Sequence, residues 1–239
     1  AGRVGSFLLH VGVKPQDRVL LISENRPEWG MAFFGILRAG ATAVPVDPEL
    51  TEAEVVNVAK RAKATVCLIS EQAAHDLPSL HRLLTEAGVV TQVHSLAQAM
   101  AGDESQPDGL GPVKRSASAD DVASLIFTSG TTGNPKGVML THRNFTSLIA
   151  KLSGVFEMSE GDGVLSVLPL HHTFEFSAGF LTPFSQGCEI SYIDELTADR
   201  LGEVLETGRV NGMIGVPALW QLLHRKMTQE LAAKPKFVE

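Results

Sequence analysis

The sequence contains few of the residues from which disulfide scaffolds and zinc sites are built. Its 239 residues include two cysteines, Cys67 and Cys188, which lie far apart and without Cys-x-x-Cys spacing. This argues against both kinds of site, and because both thiols stand in apolar, strand-like runs we expect them to be buried and reduced, as is typical of cytoplasmic proteins. No apolar run approaches the roughly 18 residues of a membrane span, and the first residues lack the pattern of a signal peptide.

An excess of positive charge is also missing. Lysine and arginine number 20 against 27 acidic residues, which gives a formal net charge of −7. This balance argues against broad binding to nucleic acid or anionic lipid, although a local basic pocket is compatible with it. The chain is 44% hydrophobic and long enough for one large or two small domains with a substantial core.

Short β-branched runs alternate with amphipathic helical segments along most of the chain. Pro27 begins a helix that stops at Gly40, and strand-like runs lie on both sides of it. Thr51 and Glu54 have the spacing of a capping box for the next helix. This alternation predicts a parallel sheet in an α/β fold of layered sheets with flanking helices. The main predicted strands are residues 18–22, 41–46, 65–69, 122–127, 164–168, 189–193 and 212–216, and the later helices are 144–156, 198–207 and 217–227.

One polar, turn-rich segment interrupts the alternation. Residues 101–121 are rich in small polar residues, glycine and proline. They are either an exposed linker inside the fold or a boundary between subdomains, and we divide the chain there into a first α/β subdomain at 1–100, the linker at 101–121 and a second α/β subdomain at 122–239. The uncapped first helix and the strand-like last residues predict that the chain is a segment cut at both ends from a longer protein.

The segment Thr128 to Gly137, T-S-G-T-T-G-N-P-K-G, concentrates small donors beside one cation. Its glycines let backbone N–H groups approach a ligand, its hydroxyls add donors, and Lys136 adds a positive charge. Together these features suit a polyphosphate. The common P-loop is a poor match because the residues after Lys136 are strand-like rather than helical. The structural alternative is a flexible Gly/Thr hairpin without a ligand.

This loop, continuing through V-M-L-T-H-R-N, closely resembles the phosphate-binding signature of the adenylate-forming superfamily, which includes acyl-CoA synthetases, luciferases and peptide-synthetase adenylation domains. Other segments resemble further family motifs in the expected order: E-N-R-P-E-W, L-R-A-G-A-T-A-V-P-V-D-P, L-P-L-H-H-T-F-E and G-V-P-A-L-W. The resemblance covers nearly the whole chain outside 101–121. It implies part of the large N-terminal domain of such an enzyme.

The resemblance implies a reaction in two steps. A carboxylate attacks the α-phosphate of ATP, pyrophosphate leaves, and the resulting acyl-adenylate then passes its acyl group to a thiol, usually coenzyme A. The first step develops charge on the phosphates, so it needs positioned donors and Mg²⁺. The resemblance assigns Lys136 a catalytic role and makes Thr131 a ligand of Mg²⁺. The residues predicted to hold the phosphates are Thr128, Ser129, Gly130, Thr131, Thr132, Gly133 and Lys136.

A second predicted site lies in L-P-L-H-H-T-F-E. His172 matches the family's histidine beside the acyl group and α-phosphate, where an imidazole can donate to an oxygen, and we assign it a catalytic role. His171 is interpreted as a strand-end histidine without a role. The further residues predicted to contact the substrate are Phe174, Glu175, Val216 and Pro217, with Val216 and Pro217 open to an alternative role in the core.

Two classes of acid remain open. P-L-x-H-x-F-E is closer to long-chain fatty acyl-CoA synthetases, and the surrounding phenylalanines suit an alkyl chain, although Phe180 and Phe184 also have the spacing of a helix core. A fatty-acid substrate is compatible with peripheral contact to a membrane. F-E-F-S alternatively resembles F-D-x-S of amino-acid-activating members, in which case Glu175 would hold a substrate ammonium. Activation of an amino acid or an aryl acid is therefore the alternative.

Several family segments have no match in this sequence. We find no Tyr-Gly-x-Thr-Glu, no Thr-Gly-Asp and no C-terminal domain with its catalytic lysine. We therefore expect the segment alone to be catalytically incomplete. A non-catalytic nucleotide-binding module is the alternative from another class, while a P-loop phosphotransferase is disfavoured by the loop spacing.

Overall fold

The computed structural model describes residues 1–73, 76–89, 91–101, 117–128, 135–193 and 196–233. The chain divides into two compact units. The first comprises residues 1–148 together with 171–173, and the second comprises 149–170 together with 174–239. Each unit contains a β-sheet with helices, so the predicted α/β fold of sheets flanked by helices is confirmed.

A six-stranded sheet forms the centre of the first unit. Its order is β4-β3-β1-β2-β5-β6, in which β1 to β5 are parallel and β6 pairs antiparallel with β5. The predicted parallel sheet is therefore correct for five strands, and β6 reverses because it returns from β5 as a hairpin. The strands are β1 Arg18–Ile22, β2 Thr42–Val46, β3 Val66–Ile69, β4 Gln92–Ser95, β5 Val122–Thr128 and β6 Lys136–Thr141.

Local signals set the helix boundaries. Pro27 occupies the first turn of α2, and the chain leaves that helix through Gly40 at φ +77°. The capping box of α3 is present: Thr51 Oγ1 accepts from the N–H of Glu54, and Glu54 Oε2 accepts from the N–H of Thr51 at 2.9 Å. The helices are α1 Gly2–His10, α2 Pro27–Arg38, α3 Glu52–Ala62, α4 Leu77–Glu86, α5 Leu96–Ala101 and α6 His142–Ser153.

The core of the first unit lies on both faces of its sheet. Strands β1, β2 and β3 are almost wholly buried, as expected of parallel strands covered on both sides. Alternate strand residues pack against α3 and α4 in one cluster, which includes Cys67 and confirms that this thiol is buried. Cys188 is only half-buried, so the expectation of two buried thiols holds for one of them.

The second unit has a three-stranded parallel sheet of order β8-β7-β9. Its core includes Leu165, Leu201 and Leu219. A π-helix at Glu175–Leu181 follows β7 and is buried throughout. The strands are β7 Gly163–Ser166, β8 Glu189–Tyr192 and β9 Gly212–Met213, and the α-helices are α7 Thr182–Ser185, α8 Ala198–Thr207 and α9 Pro217–Ala233.

Two features differ from the sequence-based expectation. The strand predicted at 212–216 is only two residues long, because the carbonyls of Gly215 and Val216 accept bonds from Trp220 and Leu219 at the start of α9 instead of from a strand. The boundary predicted at 101–121 also differs from the division seen, because β5 pairs with β2 across that segment and so joins the first unit. Residues 102–116 of that segment lie outside the described residues.

Candidate functional site

Polar residues gather where the parallel strands of the first sheet end. Glu24 follows β1 by two residues, Asp47 follows β2, Ser70 follows β3, and Thr128 is the last residue of β5. The carboxyl ends of parallel strands share one edge, and ligands of open α/β sheets bind at that edge. Ala43 of β2 lies opposite Ser124 of β5, so these two parallel strands run toward the same edge.

The segment E-N-R-P-E-W contributes an ion-pair network to this edge. Arg26 donates to Glu24 at 3.0 Å and to Glu28 at 2.8 Å. Ser70 Oγ donates to Glu24, which joins the ends of β1 and β3. The polar residues of the segment therefore stabilise the turn between β1 and α2.

Thr128 and Lys136 form the base of the glycine–hydroxyl loop. They lie opposite each other in the β5–β6 hairpin, and Thr128 Oγ1 donates to the carbonyl of Lys136 at 3.5 Å, a long and weak bond. Both residues are exposed, so both are available to a ligand. Strands β5 and β6, which flank the loop, pair antiparallel, and this pairing is compatible with both the phosphate-binding interpretation and the structural alternative. The predicted phosphate contacts Ser129, Gly130, Thr131, Thr132 and Gly133 lie outside the described residues.

Arg61 at the end of α3 contacts the same hairpin. Its Nη1 donates to the carbonyl of Pro135 at 3.3 Å, next to Lys136. Beside this contact is a groove of about 390 Å³ along the sheet face that α3 covers. Because the groove follows the face rather than the carboxyl edge, we do not assign the phosphate site to it.

Asp47 and His171 form a pair that the sequence did not predict. His171 Nε2 lies 3.7 Å from Asp47 Oδ2, and the side chain of His171 is only 10% exposed. Nε2 has no hydrogen-bond partner among the described residues. Burial lowers the pKa of His171 to about 4, an effect that the charge of Asp47 opposes and that His172 adds to. The imidazole is therefore neutral at pH 7.

His172, the predicted catalytic histidine, is exposed beside His171. The two ring centroids are 4.3 Å apart and the ring planes are inclined by 54°. Asp47, His171 and His172 thus form a row that starts at the end of β2. Asp47 could have been found from the sequence by asking which polar residue follows a buried strand, whereas the contact of His171 with Asp47 depends on tertiary structure.

Glu175, a predicted substrate contact, is buried within the second unit. Its side chain is 1% exposed, and Ser166 Oγ donates to its Oε1 at 2.6 Å. Burial raises the pKa of Glu175 to about 7, and hydrogen bonds from Ser166 and from the backbone of Leu168 and Val167 oppose this rise. The carboxyl group faces the interior of its own unit in this structure.

The other predicted substrate contacts are exposed on the second unit. Phe174 is 54% exposed and Val216 is 39% exposed, and Pro217 is exposed as well. They are therefore available to a ligand and are not part of the core. Phe180 and Phe184 were predicted either to contact an alkyl chain or to form a helix core. Phe180 is buried, as a core residue would be, whereas Phe184 is 55% exposed.

Two kinds of feature are absent from the described ranges. No group of three or more His, Cys, Asp or Glu side chains that could hold a metal ion occurs there. Thr131, the predicted Mg²⁺ ligand, is outside them. Within these ranges no helix is long and apolar enough to cross a bilayer.

Comparison with known proteins identifies relatives along almost the full chain. The family model described as "AMP-binding enzyme" matches residues 1–237. A 3-[(3aS,4S,7aS)-7a-methyl-1,5-dioxo-octahydro-1H-inden-4-yl]propanoyl:CoA ligase of Mycobacterium tuberculosis is 30% identical over 228 residues, which cover 90% of this chain and 44% of that protein. A long-chain-fatty-acid–[acyl-carrier-protein] ligase of Arabidopsis thaliana is 28% identical over 254 residues, covering 93% of this chain and 33% of that protein.

Solved structures show the same fold. The crystal structure of ATP-bound MatB from Rhodopseudomonas palustris matches with a TM-score of 0.80 at 23% identity, over 93% of this chain and 43% of that one. This likeness concerns the fold alone. The chain thus spans less than half the length of these relatives.

Proposed function

The chain belongs to the family of AMP-binding enzymes, and from this premise we propose that the full-length protein is an ATP-dependent acid–thiol ligase whose substrate is a long-chain fatty acid. The carboxylate oxygen attacks the α-phosphorus, and the bond to the bridging oxygen of pyrophosphate breaks. The thiol sulfur of coenzyme A then attacks the acyl carbonyl carbon, and AMP leaves. The observation that carries this proposal is the pairing of Thr128 with Lys136 at the sheet edge to which Asp47 and His171 also belong.

The described residues suit the first step. The exposed ammonium group of Lys136 and the hydroxyl of Thr128 can stabilise the charge that develops on the leaving pyrophosphate. The exposed imidazole of His172 can donate to an oxygen of the carboxylate or the α-phosphate. Mg²⁺, held by Thr131 and by the phosphates of ATP, would neutralise part of the phosphate charge.

The nature of the acid is inferred from the second unit. A substrate ammonium would need access to Glu175, whose carboxyl group is buried and bonded to Ser166. This burial favours a carboxylic acid without an ammonium group over an amino acid. Phe174 and Val216 offer exposed apolar surface suited to an alkyl chain. The cytoplasmic location and the peripheral contact with a membrane stay predictions.

Substrate-dependent exchange of pyrophosphate into ATP tests this proposal in the full-length protein. Acetate, octanoate, palmitate, benzoate and mixed amino acids would each be supplied with ATP and Mg²⁺. We expect palmitate to drive the fastest exchange and His172→Ala to lower it. Exchange driven by amino acids would contradict the assigned substrate, and no exchange with any acid would favour a nucleotide-binding module without this reaction.

A further inference from the structure

The carboxyl group of Glu175 is the most unusual buried group outside the proposed phosphate site. Its Oε1 accepts from Ser166 Oγ at 2.6 Å, whereas its Oε2 is buried with no hydrogen-bond partner among the described residues. Burying a polar atom without a hydrogen-bond partner costs free energy. We therefore expect the carboxyl group of Glu175 to have a role that offsets this cost. Neither step of the proposed reaction uses it.

The position of this bond in the chain indicates its role. Ser166 is the last residue of β7, and Glu175 is the first residue of the π-helix. The bond therefore closes a loop of the intervening residues, 167–174, and holds its two ends together. That loop carries His171, His172 and Phe174. π-Helical turns are rare and occur frequently at functional sites.

The carboxyl group of Glu175 is closely surrounded by the π-helix, by the loop backbone and by β8. A Cβ atom added to Gly179, one turn further along the π-helix, would overlap Glu175 Oε1, so glycine leaves the space that the carboxyl group occupies. The backbone N–H groups of Leu168 and Val167 also face the carboxyl group. Tyr192 of β8 is an ionisable group near it, and burial together with the charge of Glu175 raises the pKa of Tyr192 to about 12.

We infer that Glu175 is a positioning residue: its buried carboxyl group ties the end of β7 to the π-helix and thereby holds the two ends of the loop 167–174, the loop that carries His172 and Phe174. The catalytic consequence rests on the proposed function, whereas the effect on the loop does not. Because no cation is among the groups that oppose the effect of burial, ionisation of Glu175 places an unbalanced charge in the interior. The loop should therefore loosen as the pH rises through about 7.

Hydrogen exchange followed by mass spectrometry tests the inference in the full-length protein at pH 6, 7 and 8, after correction for the intrinsic pH dependence. We expect Glu175→Ala to accelerate amide exchange in 167–174 by about tenfold, a loss of roughly 1.4 kcal/mol of local stability. In the wild type, exchange should accelerate further between pH 6 and 8. Glu175→Gln, which keeps the shape and cannot ionise, should abolish that acceleration.

Two glycine variants provide a matched control. Gly179→Ala should displace the carboxyl group and loosen the loop as Glu175→Ala does. Gly202→Ala, in α8 of the same unit, adds a methyl group where nothing lies within 4 Å and should leave the loop unchanged. Ser166→Ala removes the same bond and serves if Glu175→Ala fails to fold. Unchanged exchange in 167–174 for Glu175→Ala, or for Ser166→Ala in its place, would overturn the inference, as would a pH response retained in Glu175→Gln.

Activity separates this inference from the proposed function. In Glu175→Ala, we expect pyrophosphate exchange to lose kcat about tenfold with little change in the KM for ATP, because Lys136 and Thr128 are untouched. A loosened loop in a protein that shows no exchange with any acid would support the positioning role while refuting the proposed ligase. A loosened loop with unchanged kcat would overturn the link from Glu175 to His172.

Discussion

Lys136 supplies the one positive charge that the predicted phosphate contacts contain. It is exposed at the end of the hairpin, opposite Thr128. Removing a positioned group that stabilises transition-state charge commonly lowers kcat by two to three orders of magnitude. We expect Lys136→Ala to lower palmitate-dependent pyrophosphate exchange about 100-fold in the full-length protein.

Lys60→Ala is the control for this prediction. Lys60 is an exposed lysine on α3 of the same unit, so its loss changes the net charge equally without touching the hairpin. Equal exchange rates in the Lys136 and Lys60 variants would refute the assigned role of Lys136.

Single residues differ in how far the sequence could reveal them. Lys136 and Thr128 were assigned from the loop motif alone, and their contact with a phosphate stays a prediction. The contact between Asp47 and His171 was not visible in the sequence, because these residues lie far apart in the chain and approach to 3.7 Å only in the folded protein. The burial of Glu175 was not visible in the sequence either. A charged residue in F-E-F-S suggests a contact with substrate, whereas the π-helix places its side chain in the interior.

The elements were more predictable than the residues between them, because helix ends depend on neighbours a few positions away. The capping box at Thr51 and the glycine after α2 define α2 and α3 locally. The length of strand β9 was overestimated, because residues after Met213 bond to the first turn of α9 instead of to a strand. The apolar pattern of 212–216 fits a strand and gives no sign of these bonds. The division into units lies elsewhere than at residues 101–121 for a related reason: β5 pairs with β2 across that segment, and strand pairing is not local.

The contribution of the capping box can be measured on α3. Thr51→Ala removes the side-chain acceptor for the N–H of Glu54, and loss of such a cap costs about 1 kcal/mol. We therefore expect amide exchange in the first turn of α3 to accelerate about fivefold by mass spectrometry. Thr85→Ala in α4 is the control, because that hydroxyl only bonds back to the carbonyl of His81. An equal response of both helices to their substitutions would mean that the cap adds nothing.

At the scale of the whole molecule, His171 in the first compact unit and Glu175 in the second are two buried groups whose pKa values are displaced in opposite directions. His171 in the first unit has its pKa lowered to about 4, and Glu175 in the second has its pKa raised to about 7, both chiefly by burial. Burial disfavours the charged form in each case, but that form is cationic for histidine and anionic for glutamate. The two groups therefore link folding to pH with opposite signs.

The signs follow from proton binding. Between about pH 4 and 6.5, His171 binds a proton in the unfolded protein but not in the folded protein. Its contribution therefore makes the free energy of unfolding rise with pH. Between about pH 4.5 and 7 folded Glu175 keeps a proton that the unfolded form loses, so its contribution makes stability fall with pH.

Urea unfolding at pH 4.5, 5.5, 6.5 and 7.5 measures these contributions in the full-length protein. Glu175→Gln removes the group that makes stability fall as the pH rises. We therefore expect the free energy of unfolding of this variant to rise more steeply with pH than that of the wild type. His171→Phe, which keeps a ring beside His172, should remove the rising contribution and give the opposite change in slope. Because the two groups lie in different compact units, separate unfolding transitions would each carry one of the two changes. Slopes that stay parallel to the wild type in both variants would show that neither group is desolvated as its burial implies.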